Sequence, residues 1–138
     1  MAPKRNLSIR TLLTSLHHVP FRADDRIECL LERFGVTFHA ASVSRGTYQL
    51  QRGNLVLWLP GGTLQTVEVT GSPWHEPSDL VDWEGFPVHG GDPLAWCREH
   101  DVDLSLRAGQ DGARLWATPS GALMALQDGQ LQNITLEL

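Results

Sequence analysis

The sequence holds a single lysine, Lys4, only two cysteines, and no lysine or arginine at all between positions 53 and 97. Each scarcity excludes something. Cys29 and Cys97 both fall inside helical patterns, and two such thiols do not make a disulfide framework; they read as buried structural cysteines. No stretch approaches the roughly 18 apolar residues that a membrane helix needs. Arg10 interrupts the one apolar run near the start, and Leu12 to Leu16 is too short for a leader, so a cytoplasmic protein is expected. Ten arginines against one lysine, with few isoleucines, suggest a GC-rich bacterial genome.

Catalytic signatures are also missing. His75-Glu76-Pro77-Ser78-Asp79 is not the H-E-x-x-H zinc helix, and Pro77 opposes a helix there, so no metal ligand set is assigned to His75, Glu76, Asp79, His89 and Asp92. His89-Gly90-Gly91-Asp92 resembles a glycine-rich oxyanion strand, but G-x-S-x-G is absent and Ser120 lies between two strands. Gly61-Gly62 and Gly90-Gly91 lack the lysine and the strand–loop–helix setting of a phosphate cradle. Of the cysteines, apolar neighbours make Cys29 inert, while Cys97, followed by Arg98-Glu99-His100, is the less inert of the two. No catalytic residue, cofactor or metal is expected.

What is present is ordinary globular material. At 138 residues, 41% hydrophobic and 20% charged, the chain is expected to form one domain over 1–138, with residues 1–6 a frayed basic N-terminus. The net charge of −5 is unevenly spread: residues 1–52 sum to +4, residues 53–97 to −6 and residues 98–138 to −3. Such a balance disfavours nucleic acid, whose phosphates require a basic face.

Periodicity gives the elements. Leu12, Leu13 and Leu16 suggest a helix over 7–18 that ends before Pro20. Asp24 and Asp25 open a second helix with the stripe Ile27, Leu30, Leu31, Phe34 and a stop at Gly35. The period then shifts towards 2, predicting strands over 36–43, 47–51, 55–59 and 64–69 with glycine turns between them. Asp92-Pro93 starts a short helix to about His100, and strands follow over 102–107, 113–117, 122–127 and 131–138, with Asp128-Gly129 as the clearest hairpin turn. Leu55 to Leu59 is apolar without alternation, so either both its faces are covered or one is a binding surface. The expected fold is α+β: a mostly antiparallel sheet of up to eight short strands against two or three helices. The halves rhyme, each a helix and four strands, each with a Leu-Trp pair before a proline–glycine turn (Leu57-Trp58, Leu115-Trp116) and an aspartate five residues before its cysteine. A helix-plus-four-strand repeat and chance hairpin similarity both account for that.

The segment 71–92 stands apart: irregular, acidic and aromatic, with three prolines and two tryptophans. Trp58, Trp96 and Trp116 sit in regular elements and read as core. Trp74 and Trp83, in the loop beside acids, either fold inward as anchors or present binding hot spots. The functional expectation is a non-catalytic acidic module, like an inhibitor, an immunity protein or a secretion chaperone. It would recognise a basic protein partner through Trp74, His75, Glu76, Asp79, Asp82, Trp83 and Glu84. The alternative is a small-molecule site between helix and curved sheet, lined by His39, Trp58, His75 or His89. A third possibility, an oligomerising module, would pair Leu55–Leu59 or Leu131–Leu138 across a homodimer two-fold.

Overall fold

The computed structural model describes residues 7–138, so the expected basic tail at 1–6 lies outside the described residues. Its centre is one antiparallel sheet of eight strands, built from two consecutive four-strand meanders. The first comprises β2 (His39–Ser44), β3 (Thr47–Arg52), β4 (Leu55–Pro60) and β5 (Thr66–Thr70). The second comprises β7 (Ser105–Gln110), β8 (Ala113–Ala117), β9 (Leu123–Gln127) and β10 (Gln130–Glu137). The last strand of each meander pairs with the other, Val69 opposite Ile134 and Val67 opposite Leu136, giving the order β2-β3-β4-β5-β10-β9-β8-β7. Short glycine turns dictate the meanders, since only antiparallel neighbours can be joined so tightly. Gly46, Gly53 and Gly129 all take positive φ at hairpin tips, and Asp128 joins Gly129 there at +52° as a two-residue turn requires.

A helix precedes each meander: α2 (Ile27–Phe34) the first, α3 (Pro93–Glu99) the second. The α+β class and the helix-then-four-strands order of both halves are therefore as expected. The side-chain rhyme is not. Trp58 lies on the third strand of its meander and Trp116 on the second of the other, and Cys29 is exposed whereas Cys97 is buried.

All three helices share one core with one face of the sheet. Leu12 and Leu13 of α1 (Ile9–Thr14), Leu30 and Phe34 of α2 and Trp96 of α3 pack with Leu55, Leu57, Leu59, Val67, Val69, Met124, Ile134 and Leu136. Among the described residues no helix packs on the opposite face. Along β5, Val67 and Val69 are fully buried while Thr66, Glu68 and Thr70 stay partly exposed. Cross-strand register carries that alternation across the sheet. One row of the open face runs His39, Gln51, Val56, Glu68, Thr135 and Leu123; the next runs Ala41, Gln49, Trp58, Thr66 and Glu137. The non-alternating run Leu55 to Leu59 is thereby explained: Leu55, Leu57 and Leu59 enter the core, and Val56 and Trp58 belong to the open face.

Several local expectations are corrected. The helix expected over 7–18 is broken. Ser8 caps α1 by accepting from the Thr11 amide, but after Thr14 the chain turns extended at Ser15 before a 3-10 turn at Leu16–His18. Ser120, in the β8–β9 turn, accounts for the stop: its hydroxyl donates to the Leu12 carbonyl at 2.6 Å and its amide to that of Leu13 at 3.0 Å. Those carbonyls find a partner across the fold instead of a further helical turn.

The start of α2 also differs. Asp25 does not cap it; Arg26 is the N-cap, without a side-chain bond. Asp25 is instead buried, accepting from the Arg22 amide and from both terminal nitrogens of Arg33 at 2.6 and 2.8 Å. The Arg33 guanidinium holds the Asp25 carboxyl below its ordinary pKa. On α2 only Leu30 and Phe34 face the core fully; Leu31 is 39% exposed and Cys29 points to solvent. An eight-residue helix seated on a sheet buries a narrow stripe, and Leu31 falls one helical step outside it. Finally, β4 and β10 each have both edges occupied within the sheet, so Leu55–Leu59 and Leu131–Leu138 are closed to strand pairing with a second copy. The free edges belong to β2 and β7, and each is broken by a register shift, near Val43 and Arg107 respectively. Such bulges discourage edge-to-edge addition.

Candidate functional site

The loop 71–92 divides into two parts with opposite fates. From Ser78 onward it turns inward. Ser78, Leu80, Val81, Phe86 and Val88 are buried, and β6 (Val81–Asp82) pairs in parallel with β1 (Leu7–Ser8). Trp83 goes with this part: it packs against the core, and its indole N–H donates to the Ser78 carbonyl at 3.0 Å. Trp83 therefore takes the inward-anchor alternative of the two weighed for it. Apolar residues at 80, 81, 86 and 88 were the signal for this, masked by the prolines and glycines between them.

The first part, residues 72–77, and its junction with the second at Ser78 and Asp79 are held by Gln51 to Asn54, the end of β3 and its turn to β4. Gln51 bonds His75 Nδ1 through its side-chain amide at 3.1 Å. Arg52 grips Asp79 with two parallel bonds of 2.7 Å and also donates to the Thr37 carbonyl at 2.9 Å. Gly53, at φ +60°, brings its backbone so near the loop that a Cβ there would stand 2.6 Å from the Glu76 carbonyl. Asn54, fully buried, accepts from the Ser78 amide at 2.8 Å and donates to the Thr70 carbonyl at 3.2 Å. Inside the segment, Thr70 and Ser72 hydroxyls accept from the amides of Ser72 and Trp74, and His89 Nε2 bonds the Ser72 carbonyl. A turn that the sequence marks only as Arg-Gly-Asn is thus a four-point clamp. Nothing in Gln51-Arg52-Gly53-Asn54 by itself reveals this, because each bonded loop partner, His75, Asp79 and Ser78, lies 24 or 27 positions away.

On this clamped segment Trp74 is 89% exposed, against 41% for Tyr48, the only other aromatic among the exposed large apolar residues. With His39, Gln51, Gly53, His75 and Glu76 it lines an open groove of about 500 Å³ at the margin of the open sheet face. His39 and His75, two of the four residues offered for a pocket between helix and sheet, line this groove on the open face instead; Trp58 and His89 do not. Trp58 stands on the sheet face with its indole N–H bonded to Glu68 at 2.9 Å. Of the acids expected at the site, Asp79 is committed to Arg52, and Glu84 accepts from the Ser8 hydroxyl. Asp82 turns its carboxylate onto the Glu84 amide. Glu76 forms no ion pair among the described residues.

The two rows of the open sheet face beside the groove carry no lysine or arginine. Glu68 and Glu137 are their charged members. No lysine or arginine occurs from 53 to 97 or from 115 to 138. Arg52, the nearest cation to the groove in sequence, is occupied by Asp79, which holds its guanidinium all the more firmly charged. Among the described residues no group of histidine, cysteine, aspartate and glutamate is placed to hold a metal ion.

Elsewhere, a cavity of about 400 Å³ lies beside α3 and the start of the second meander, lined by Leu94, Cys97, Arg98, Leu104 and Trp116 among others. Cys97 has no exposed surface, and burial pushes its thiol up to about 11. The expected order of the two cysteines is thereby reversed: Cys29 is the accessible one. Among the described residues no helix is long and apolar enough to cross a membrane.

Compared with known proteins, the chain matches no protein-family model, no curated protein and no solved structure.

Proposed function

We propose that this protein is a non-catalytic binding module for a basic protein partner, of the inhibitor, immunity-protein or chaperone kind. The partner would be received on the clamped segment 72–77 and the sheet face beside it. The observation that carries the reading is Trp74: a large, almost fully exposed aromatic on a loop held by residues 51–54, at the margin of two sheet rows that contain no lysine or arginine. Exposing an indole costs hydration free energy in the free protein. Holding it rigidly lowers the entropy lost on association, which is how preorganised hot spots gain affinity. Rows without lysine or arginine favour approach of a cationic protein and disfavour an acidic one. Bulged edges at β2 and β7 leave a face, not an edge, as the contact surface. Two free cysteines fit a reducing, cytoplasmic setting, which is part of the same proposal.

The test is capture from a lysate of the native host on immobilised wild type and on a Glu76→Lys/Asp82→Lys/Glu84→Lys variant, with elution by rising salt. Basic proteins retained by the wild type, released by moderate salt and lost by the variant are the expected result. Equal retention by both proteins would refute the reading.

A further inference from the structure

We infer that the groove between Trp74 and Glu76 is built for one kind of group, the guanidinium of an arginine side chain presented by the partner. The inference rests on the binding reading above and names what the partner must bring. The groove pairs the two surfaces a guanidinium uses. An indole face attracts a planar cation through its quadrupole, and a carboxylate accepts two parallel N–H bonds from the guanidinium edge. Trp74 supplies an almost naked indole, and Glu76, two positions on, a carboxylate with no ion pair among the described residues.

The protein itself contains the control. Asp79, just beyond that segment, already holds a guanidinium in this two-bond geometry, that of Arg52 at 2.7 Å on each oxygen. The chain thus satisfies one loop acid internally and leaves the one beside the exposed tryptophan to solvent. The absence of lysine and arginine from the lining argues against a phosphate or carboxylate. A groove of about 500 Å³ lies in the usual range of ligand clefts, about 300–1,000 Å³.

The experiment is a titration of the whole protein with an acetylated, amidated octa-arginine peptide, alongside octa-lysine and octa-citrulline peptides of the same length. The reporter is the Trp74 indole N–H resonance, assigned by its loss in Trp74→Ala, with dissociation constants from calorimetry. Both side chains project into solvent, so Trp74→Ala and Glu76→Gln leave the fold in place. Octa-arginine is expected to shift the Trp74 signal, to bind several-fold more tightly than octa-lysine, and to lose about tenfold in affinity in either variant. Octa-citrulline, isosteric but neutral, is expected not to bind. If octa-arginine binds the wild type and both variants alike, the groove inference falls while the basic-partner reading stands. Equal binding of citrulline overturns the charge argument for the groove, and failure of every cationic peptide to bind overturns both readings.

Discussion

Replacing Asn54 with alanine isolates the clamp from everything else in the fold. Asn54 is fully buried and makes two bonds with its side chain, accepting from the Ser78 amide at 2.8 Å and donating to the Thr70 carbonyl at 3.2 Å. Alanine removes both partners. The Ser78 amide is then a buried donor with nothing to meet, since Ser78 is itself only 2% exposed, and an orphaned buried group costs about 1–3 kcal/mol. The Thr70 carbonyl loses one of two possible donors, a smaller loss of about 0.5–1.5 kcal/mol. Together the variant should be destabilised by about 2–4 kcal/mol, which moves a urea midpoint down by about 1–2 M at ordinary slopes. The effect should also be local. Hydrogen exchange at the Ser78 amide should accelerate well beyond that at Leu57 in the centre of the sheet, because the loop can lift before the sheet opens. An exposed control, Gln132→Ala, should change stability by less than about 0.5 kcal/mol. An Asn54→Ala variant with wild-type midpoint and unchanged Ser78 protection would refute the idea that this turn holds the loop.

Three further outcomes follow from burial and charge. Leu30→Ala should cost about 2–5 kcal/mol in a denaturant titration, whereas Leu31→Ala, at a half-exposed position, should cost less than about 1 kcal/mol; equal losses would mean the helix sits rotated on the sheet. In native protein at pH 8 a thiol reagent should modify Cys29 within minutes and spare Cys97, whose thiol is buried and pushed up to about 11; the reverse order by mass spectrometry would contradict the packing of α3. Asp25→Asn should lower stability at pH 7 by about 1.5–3 kcal/mol, the range for a bond to a charged group. Because the folded carboxyl titrates below its unfolded value of 3.8, its contribution is complete above that value and vanishes as pH falls through the folded pKa. The gap between wild type and Asp25→Asn should therefore close as urea midpoints are followed from pH 5 to pH 2, and a gap that widened would refute the pairing.

Local chemistry in this chain was legible wherever one residue settles one backbone position. Gly35 ends α2 in the left-handed conformation, Asp92 and Pro93 open α3 with the Asp92 carboxylate accepting from the Ala95 amide, and Asp128-Gly129 turns the last hairpin. The strands came out within a few residues, because glycine turns and period-2 patterns act over short spans. What stayed hidden depends on partners distant in sequence. Ser120 stopping α1, Arg33 recruiting Asp25 away from a capping role, and the clamp on residues 72–77 all join residues whose identities carry no mutual signal. The loop illustrates the limit best. Its composition marked it as irregular, yet Trp74 and Trp83, in similar acidic surroundings nine positions apart, end one outside and one packed against the core.

The meeting of the two meanders at β5 and β10 also shapes how the molecule assembles. Within each meander every strand pairs with its sequence neighbour, contacts that form quickly because the loops to be closed are short. The seam is different: Thr66 and Glu137, bonded across it, are 71 residues apart. Until it closes, each half presents a bare, apolar strand edge, Val67 and Val69 on one side and Ile134 and Leu136 on the other. The same ladder is satisfied if β10 of one chain finds β5 of another, so raising protein concentration during refolding should divert chains into exchanged dimers held by native pairings. Slow closure of that seam, and not the formation of any single hairpin, sets how long the apolar edges stay open to such exchange.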